Sequence, residues 1–285
     1  MLIRLAHLFL TLTCVVLLLI GCTYKNPNNN EIELPTIKLA NSSYEAITVP
    51  DFSQYTNIKN KKSDFFTFIR DYVITENDRI AHLRSTVMAL KKKPTDSLTS
   101  KEIEWLDTLK ETYNIDQTIT GEALFTLIDR RLRPVPESLA LAQAALESGW
   151  GTSRFALEGY NYFGQWCFDK GCGMVPTARA SGLKHEIAVF KSPQHAVAAY
   201  IRNINSHKAF KKVRDIRYQL AQHQKPVTGT ALAEGLIKYS EEGEHYINKI
   251  KKMIKINQLE NKALSSIRSN ETTHTSTSSH HNAAK

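Results

Sequence analysis

Apolar residues recur every three to four positions along much of this chain, which is the spacing of amphipathic helices. Pro94 stops the first apolar stripe, and Thr99 with Glu102 forms a capping-box pattern that opens the next helix. Pro136 and Ser192 mark two later helix starts. The pattern predicts two helices within residues 63–113, and further helices at 121–132, 137–147, 193–204, 208–221, 230–238 and 244–257.

The periodicity changes between Trp166 and Phe190. Glycine and proline residues interrupt this stretch, and residues 185–190 alternate between polar and apolar as a strand does. A small β-hairpin lobe inserted among helices predicts a mostly helical α+β fold.

Composition divides the chain into five segments. Asn, Pro, Ser and Lys dominate the region after residue 22, which predicts a flexible tether. Residues 265–285 are almost free of apolar side chains, which predicts a disordered tail. The segments are a signal peptide (1–21), the tether (22–62), a helical support (63–117), the main domain (118–258) and the tail (259–285).

The N-terminal segment has the composition of a targeting signal. Arg4 precedes an apolar run that ends in Leu19-Ile-Gly-Cys22, which resembles the lipobox of bacterial lipoproteins. The resemblance implies cleavage before Cys22, acylation of its thiol and attachment to a membrane by lipid. An aspartate after the cysteine is the usual signal for retention in the inner membrane. Thr23 stands at this position instead, so the resemblance favours the periplasmic face of the outer membrane. The alternative is an uncleaved membrane anchor.

The four cysteines can be sorted by compartment. Cys14 leaves with the signal and Cys22 carries the lipid, so Cys167 and Cys172 remain. In an oxidising compartment such a pair predicts a disulfide. The alternative is a zinc site, which needs two further ligands, and only His185 lies nearby in sequence.

The chain is basic, with a formal net charge of +9. No zinc finger, RNP-type strand or basic reading helix is visible, so we expect no nucleic-acid partner. Positive charge instead favours an anionic polymer, such as a cell-wall glycan with peptide carboxylates. We expect no cofactor, no metal and a monomer.

Glu147 is the candidate catalytic residue, because it ends a helix of small and apolar residues. Leu139, Ala142 and Leu146 line the inner face of that helix, and Trp150 follows in a Glu-Ser-Gly-Trp-Gly turn. Burial and the negative end of the helix dipole both raise the pKa of a carboxyl group. A carboxyl that stays protonated can act as a general acid.

An aromatic and amide cluster follows the turn and supplies candidate sugar-binding groups. Trp166 is the best candidate for stacking on a sugar, whereas we expect Phe163 to belong at least partly to the core. The predicted substrate-binding residues here are Asn161, Tyr162, Phe163, Gln165 and Trp166.

The segment from Pro136 to Gly151, followed by Asn161-Tyr-Phe-Gly, resembles the glucosaminidase family of peptidoglycan hydrolases (glycoside hydrolase family 73). Residues 239–246 resemble the closing motif of that family, a tyrosine, an acid and a second tyrosine. The helices ahead of the domain resemble its Bax-like branch. The resemblance implies a lysozyme-like fold and cleavage of N-acetylglucosaminyl β-1,4 bonds in peptidoglycan. It also implies a catalytic role for Tyr239 and substrate contact for Tyr246.

The second carboxylate that most glycosidases use has two candidates in the hairpin lobe, Glu186 and Asp169. If neither approaches Glu147, the acetamido group of the substrate takes that role. Two other functions stay open. A lytic transglycosylase uses the same lone glutamate, and a non-catalytic lipoprotein would bind glycan without turnover.

Overall fold

The computed structural model describes residues 32–37, 48–177, 179 and 182–261. The chain divides into two units, Met1–Glu33 and Leu34–Lys285. The predicted signal peptide and Cys22 lie outside the described residues, as do most of the predicted tail and part of the tether.

The described residues are mostly helical. Three short 3-10 turns (Phe52–Gln54, Thr95–Ser97 and Lys208–Phe210) join the longer elements. The α-helices are α1 Ile58–Leu90, α2 Ser100–Thr112, α3 Gly121–Arg131, α4 Glu137–Glu147, α5 Arg154–Gly159, α6 Pro193–Ser206, α7 Lys211–Gln222, α8 Gly229–Ala233 and α9 Glu244–Ile256. Among the helices of the described residues, none has both the length and the apolar character needed to cross a bilayer.

Local side-chain signals set several helix ends. Thr99 accepts a hydrogen bond from the Glu102 amide at 3.3 Å, and the Glu102 carboxylate accepts one from the Thr99 amide at 2.9 Å. This pair is the predicted capping box. Ser192 caps α6 as expected, by accepting from the His195 amide. Helix α5 was not predicted because it is too short for a periodic pattern.

Helix α4 lies at the centre of the fold. Every residue from Ser138 to Ala145 is buried, and the helix packs against α1, α8 and α9. A helix that is buried on all sides needs small residues where its neighbours approach closely. At Gly229 of α8 a Cβ atom would lie 2.4 Å from Ser138 Oγ, so only glycine fits there.

The predicted helical support packs into the same core as the predicted main domain. Helix α1 contacts α3, α4 and α6, and residues Leu34–Lys285 form one compact unit. Ile69, Val73 and Ile80 of α1 are fully buried. The predicted boundary at residue 117 therefore does not divide two compact units, because α1 covers a face of α4 that would otherwise be exposed.

The described part of the predicted tether also packs on the helices. Trp105 Nε1 donates to the Pro35 carbonyl at 2.8 Å, and Ile37 is only 5% exposed. Phe52 is 1% exposed and packs edge-on against Phe65, with ring centroids 5.2 Å apart. The composition of this segment did not indicate such contacts, because polar residues dominate it. Its few apolar side chains are nevertheless enough to bind a hydrophobic surface.

The β lobe is a three-stranded antiparallel sheet in the order β1-β3-β2. Strand β3 (Glu186–Ala188) pairs with β1 (Trp166–Cys167) on one side and with β2 (Gly173–Met174) on the other. Cys167 and Cys172 form the predicted disulfide, with Cα atoms 6.1 Å apart. The α+β class is confirmed.

We predict that Ile69→Ala destabilises the whole unit. Removing a fully buried side chain from α1 leaves a cavity against the core, so the free energy of unfolding should fall by about 2–5 kcal/mol. Ile74 is 40% exposed on the same helix. Ile74→Ala should cost less than about 0.5 kcal/mol.

Denaturant unfolding, monitored by circular dichroism and by tryptophan fluorescence, tests this prediction. Both probes should report one shifted transition for Ile69→Ala. A separate early transition of α1, with the remaining helices unchanged, would contradict it.

Candidate active site

Glu147 is the last residue of the buried helix α4, and Ser148 fixes the chain that follows it. Ser148 Oγ donates to the Ala144 carbonyl at 2.6 Å and accepts from the Gly151 amide at 2.8 Å. One hydroxyl group therefore closes the helix and holds the next turn, which sets the direction in which Glu147 leaves the helix.

Positive φ angles shape the turn after Glu147. Gly149, Trp150 and Gly151 have φ of 56°, 62° and 76°. A Cβ atom on Gly151 would lie 2.6 Å from the ring of Phe52, so the glycine lets this aromatic ring seat directly on the turn.

The indole of Trp150 anchors the turn to α1. Its ring lies 5.8 Å from the ring of Phe65 and 5.1 Å from that of Phe66, and Lys62 Nζ sits 4.9 Å from its centroid. These contacts place the Trp150 ring against α1.

Tyr246 of α9 is the direct hydrogen-bond partner of Glu147. Its hydroxyl donates to Glu147 Oε1 at 2.7 Å and accepts from Gln143 Nε2 at 3.0 Å. Tyr200 of α6 donates to Gln143 Oε1 at 2.7 Å. Three helices thus contribute to one buried chain of hydrogen bonds that ends on the carboxyl group.

Tyr239 lies behind this chain. Its ring stacks on Tyr246 at 5.2 Å, and its hydroxyl donates to the Phe163 carbonyl at 2.6 Å. We predicted a catalytic role for Tyr239 and substrate contact for Tyr246. In the structure it is Tyr246 that hydrogen-bonds to Glu147, whereas Tyr239 bonds to a backbone carbonyl. This sequence has one more residue before the second tyrosine than the closing motif of the family has. The turn at Gly243 (φ 55°) precedes α9, the helix that carries this tyrosine.

Gly164 brings the Asn-Tyr-Phe-Gly segment against the acid. A Cβ atom on Gly164 would lie 3.3 Å from Glu147 Oε2, and its φ is 61°. A glycine here keeps the space beside Oε2 free of a side chain. Gly164 was not among the predicted site residues, although its place in the Asn-Tyr-Phe-Gly motif is a usable signal.

Asn161 has a structural role rather than the predicted role in sugar binding. Its Nδ2 donates to the Gln165 and Ala188 carbonyls at 2.8 and 2.9 Å, and its Oδ1 accepts from the Gln165 amide at 3.0 Å. The side chain is 1% exposed. Its hydrogen-bonding capacity is used in joining the motif to β3.

Three further predicted substrate residues are also used internally. Tyr162 and Phe163 are each 1% exposed, and the ring of Phe163 stacks on Tyr200 at 4.0 Å. Gln165 Nε2 donates to the Ala196 carbonyl at 3.0 Å. Tyr162 and Phe163 are buried against α1 and α6, and the half-buried Gln165 is bonded to α6, so these residues hold the cleft together.

Trp166 is the predicted substrate residue that remains available at the surface. It is 54% exposed, and its ring stacks on His185 with centroids 4.0 Å apart. The imidazole supports one face of the indole, so the other side of the ring can meet a ligand.

Glu186 is not available as a second catalytic carboxylate. Its two oxygens accept from the Gly171 and Gly173 amides at 3.1 and 2.9 Å, and these bonds lower its pKa. The carboxylate therefore anchors the loop that the disulfide closes. Asp169 is exposed in that same loop, where its carbonyl accepts from the Cys172 amide.

The lobe does not fit the zinc site that was the alternative to a disulfide. Cys167, Cys172 and Glu186 are close enough to share an ion, but the two sulfur atoms are bonded to each other. Of these three residues, the potential ligand that remains is the Glu186 carboxylate, which two backbone amides already hold.

Burial raises the pKa of Glu147 above its ordinary value of 4.5. The Tyr246 hydrogen bond and Lys249 oppose this effect, and Glu242 adds to it. Lys249 and Glu242 form a salt bridge at 2.8 Å. Burial also raises the pKa of Tyr246, which therefore stays a hydrogen-bond donor. A protonated carboxyl group held in one orientation fits a general acid.

The chain is similar to a known protein family and to a known protein. Residues 128–259 match the Glucosaminidase family, described as mannosyl-glycoprotein endo-beta-N-acetylglucosaminidase. The chain is 28% identical to Protein bax of Escherichia coli (strain K12) over 221 residues, which covers 76% of this chain and 77% of that protein. No solved structure matches the chain significantly.

We predict that Glu147→Gln stabilises the protein more at neutral pH than at low pH. The folded state raises the pKa of Glu147, so the stability linked to its protonated form is complete below 4.5 and is lost as pH rises through the folded value. A tenfold difference in proton affinity between the folded and unfolded states corresponds to about 1.4 kcal/mol. Glutamine does not titrate and still accepts from Tyr246.

Melting temperatures between pH 4 and pH 8 test this prediction. The difference between the variant and the wild type should become more positive as pH rises. Glu186→Gln is the control of opposite sign, because the folded state lowers the pKa of Glu186. A pH-independent difference for Glu147→Gln would contradict the prediction.

Proposed function

We propose that the chain hydrolyses peptidoglycan, because residues 128–259 carry a glucosaminidase domain and this family points to a glycosidase-type enzyme. The bond that we assign is the β-1,4 linkage following N-acetylglucosamine. The observation that carries the proposal is the half-buried Glu147 carboxyl group with its Tyr246 hydrogen bond.

In this proposal Glu147 is the general acid. Burial keeps the carboxyl group protonated at a higher pH than that of an exposed glutamate, so it can deliver a proton to the leaving glycosidic oxygen. Tyr246 orients Oε1, and the glycine at position 164 leaves room beside Oε2. The same carboxylate then takes a proton from the attacking water.

The second catalytic group is assigned to the substrate. Glu186 is held by two backbone amides, so we propose that the carbonyl oxygen of the 2-acetamido group attacks C1 as the glycosidic bond breaks. Water opens the resulting ring and gives a reducing N-acetylglucosamine end. Trp166 supplies an exposed aromatic surface for a sugar ring.

We also propose that the enzyme is tethered to the envelope by lipid. The support is the Leu19-Ile-Gly-Cys22 sequence, which resembles a lipobox, with Thr23 after the cysteine. A lipid on Cys22 would hold the enzyme at the periplasmic face of the outer membrane, within reach of the cell wall.

We predict that Glu147→Gln lowers kcat on purified peptidoglycan by about 10²-fold or more, because it removes the titratable proton. Glu158→Gln makes the same chemical change at an exposed glutamate and should leave kcat unchanged. Release of reducing ends measures the rate, and mass spectrometry identifies the products.

The products separate the competing functions. Reducing N-acetylglucosamine ends support the proposal, whereas anhydromuramyl ends indicate a lytic transglycosylase. Near-normal turnover by Glu147→Gln would overturn the assignment of the acid. Glycan binding without any turnover by the wild type would indicate a non-catalytic protein.

We predict that Cys22→Ser abolishes lipid attachment, because the thiol is the acylated group. The wild type should fractionate with membranes and yield an N-terminal peptide with a lipid mass, and the variant should show neither. Cys14→Ser is the matched control, because it alters a cysteine ahead of the predicted cleavage position. Soluble wild-type protein with no lipid mass would refute the anchor.

A further inference from the structure

A second concave site lies where α3, α6 and α7 meet, and its residues take no part in the contacts of Glu147. The cavity has a volume of about 490 Å³. Five cationic side chains and one carboxylate line it, so its charge is +4; we call this site the basic pocket. These side chains are Arg130, Arg131, Lys208, Lys211, Arg214 and Asp215.

Most of the positive charge in the basic pocket is uncompensated. Asp215 pairs with Arg130 at 3.4 Å and with Lys211 at 2.6 Å. Within the part of the chain that the structure describes, Arg131, Lys208 and Arg214 form no salt bridge. Three cations therefore face one cavity without a carboxylate of their own.

Two guanidinium groups, those of half-buried Arg131 and buried Arg214, are fixed in place with donors to spare. Arg131 Nη1 donates to the Asn114 carbonyl at 2.8 Å, and Arg214 Nη1 donates to the Ile204 and His207 carbonyls at 2.9 and 2.8 Å. No hydrogen bond among the described residues uses the Nη2 atom of either arginine. Guanidinium groups that are held through one nitrogen are preorganised to bind an oxyanion through another.

The electrostatics of the basic pocket favour a bound anion. Burial and the neighbouring Arg131 lower the pKa of Arg214 to about 10, and burial lowers that of Arg131. Helix α7 starts at this pocket with no side-chain cap and no acidic residue in its first turn. Its positive end adds to the potential of the side chains.

Aromatic rings link a turn at the wall of the basic pocket to the active site. Lys208 belongs to the 3-10 turn Lys208–Phe210, and the ring of Phe210 lies 5.7 Å from that of Tyr239. Tyr239 in turn stacks on Tyr246 at 5.2 Å. One aromatic ring, that of Tyr239, thus lies between the turn that bears Lys208 and the tyrosine that binds Glu147.

We propose that the basic pocket binds the carboxylate-bearing peptides that branch from the glycan strand being cleaved. This inference rests on the proposed function. The cavity exceeds the size of a single carboxylate, and its charge of +4 suits a short peptide with several acidic groups. The pocket would hold such a peptide while the glycan occupies the cleft beside Glu147.

Paired lysine variants test the proposal with little risk to folding. Lys208→Gln/Lys211→Gln removes two exposed charges from the pocket, and Lys101→Gln/Lys252→Gln removes two exposed charges elsewhere. Both are compared in the Glu147→Gln protein, so binding is measured without turnover. The probes for calorimetry are the free peptide released from peptidoglycan by an amidase, and inorganic pyrophosphate.

We expect the pocket variant to bind the released peptide about five- to tenfold more weakly than the control variant, with the difference shrinking in high salt. In the active protein the pocket variant should raise KM on peptide-bearing peptidoglycan by a similar factor. Its kinetics on peptide-free glycan should match those of the control, since Lys208 and Lys211 do not contact the reacting groups.

Equal affinity of the two variants for the released peptide overturns the inference, even where the wild type hydrolyses peptidoglycan. Binding of pyrophosphate without binding of the peptide also overturns it, and indicates a phosphate site. Failure of the wild type to cleave either glycan would count against the proposed function, whereas peptide binding lost only in the pocket variant would still support the pocket.

Discussion

A carboxyl group that is partly buried at the end of a helix needs a hydrogen-bond partner, and Tyr246 provides it for Glu147. Tyr246 is held in turn by Gln143, and Gln143 by Tyr200, so the orientation of the acid depends on α4, α6 and α9 together. This chain works only because α4 is enclosed by its neighbours. Burial then has two effects, since it fixes the geometry of the site and raises the pKa of Glu147.

The enclosure of α4 makes the N-terminal helix part of the site. Helix α1 lies outside the segment that matches the glucosaminidase family, yet it packs directly on α4. Phe52, just ahead of it, seats on Gly151 in the turn that follows Glu147. The position of the acid is therefore set partly by residues more than ninety positions away in sequence, through contacts of aromatic rings with a glycine.

In the β lobe, polar side chains hold the structure together through hydrogen bonds to backbone groups. Asn161 joins the cleft motif to β3, and Glu186 holds the loop that the Cys167–Cys172 bond closes. Because these groups are occupied, the lobe presents the indole of Trp166 instead. The chain has a net positive charge, and part of it lies in the basic pocket. The cations of that pocket are therefore separate from Glu147.

The sequence by itself determined the features that depend on near neighbours. Helix periods, the Thr99 cap and the position of Glu147 at a helix end follow from residues within one or two turns, and the disulfide from two cysteines five positions apart. Only the tertiary structure decided which polar groups bind backbone and which stay available to a ligand. Tyr246 meets Glu147 across 99 positions. Such pairings depend on how buried helices pack against one another, and a pattern of apolar positions marks the face that is buried but not its partner.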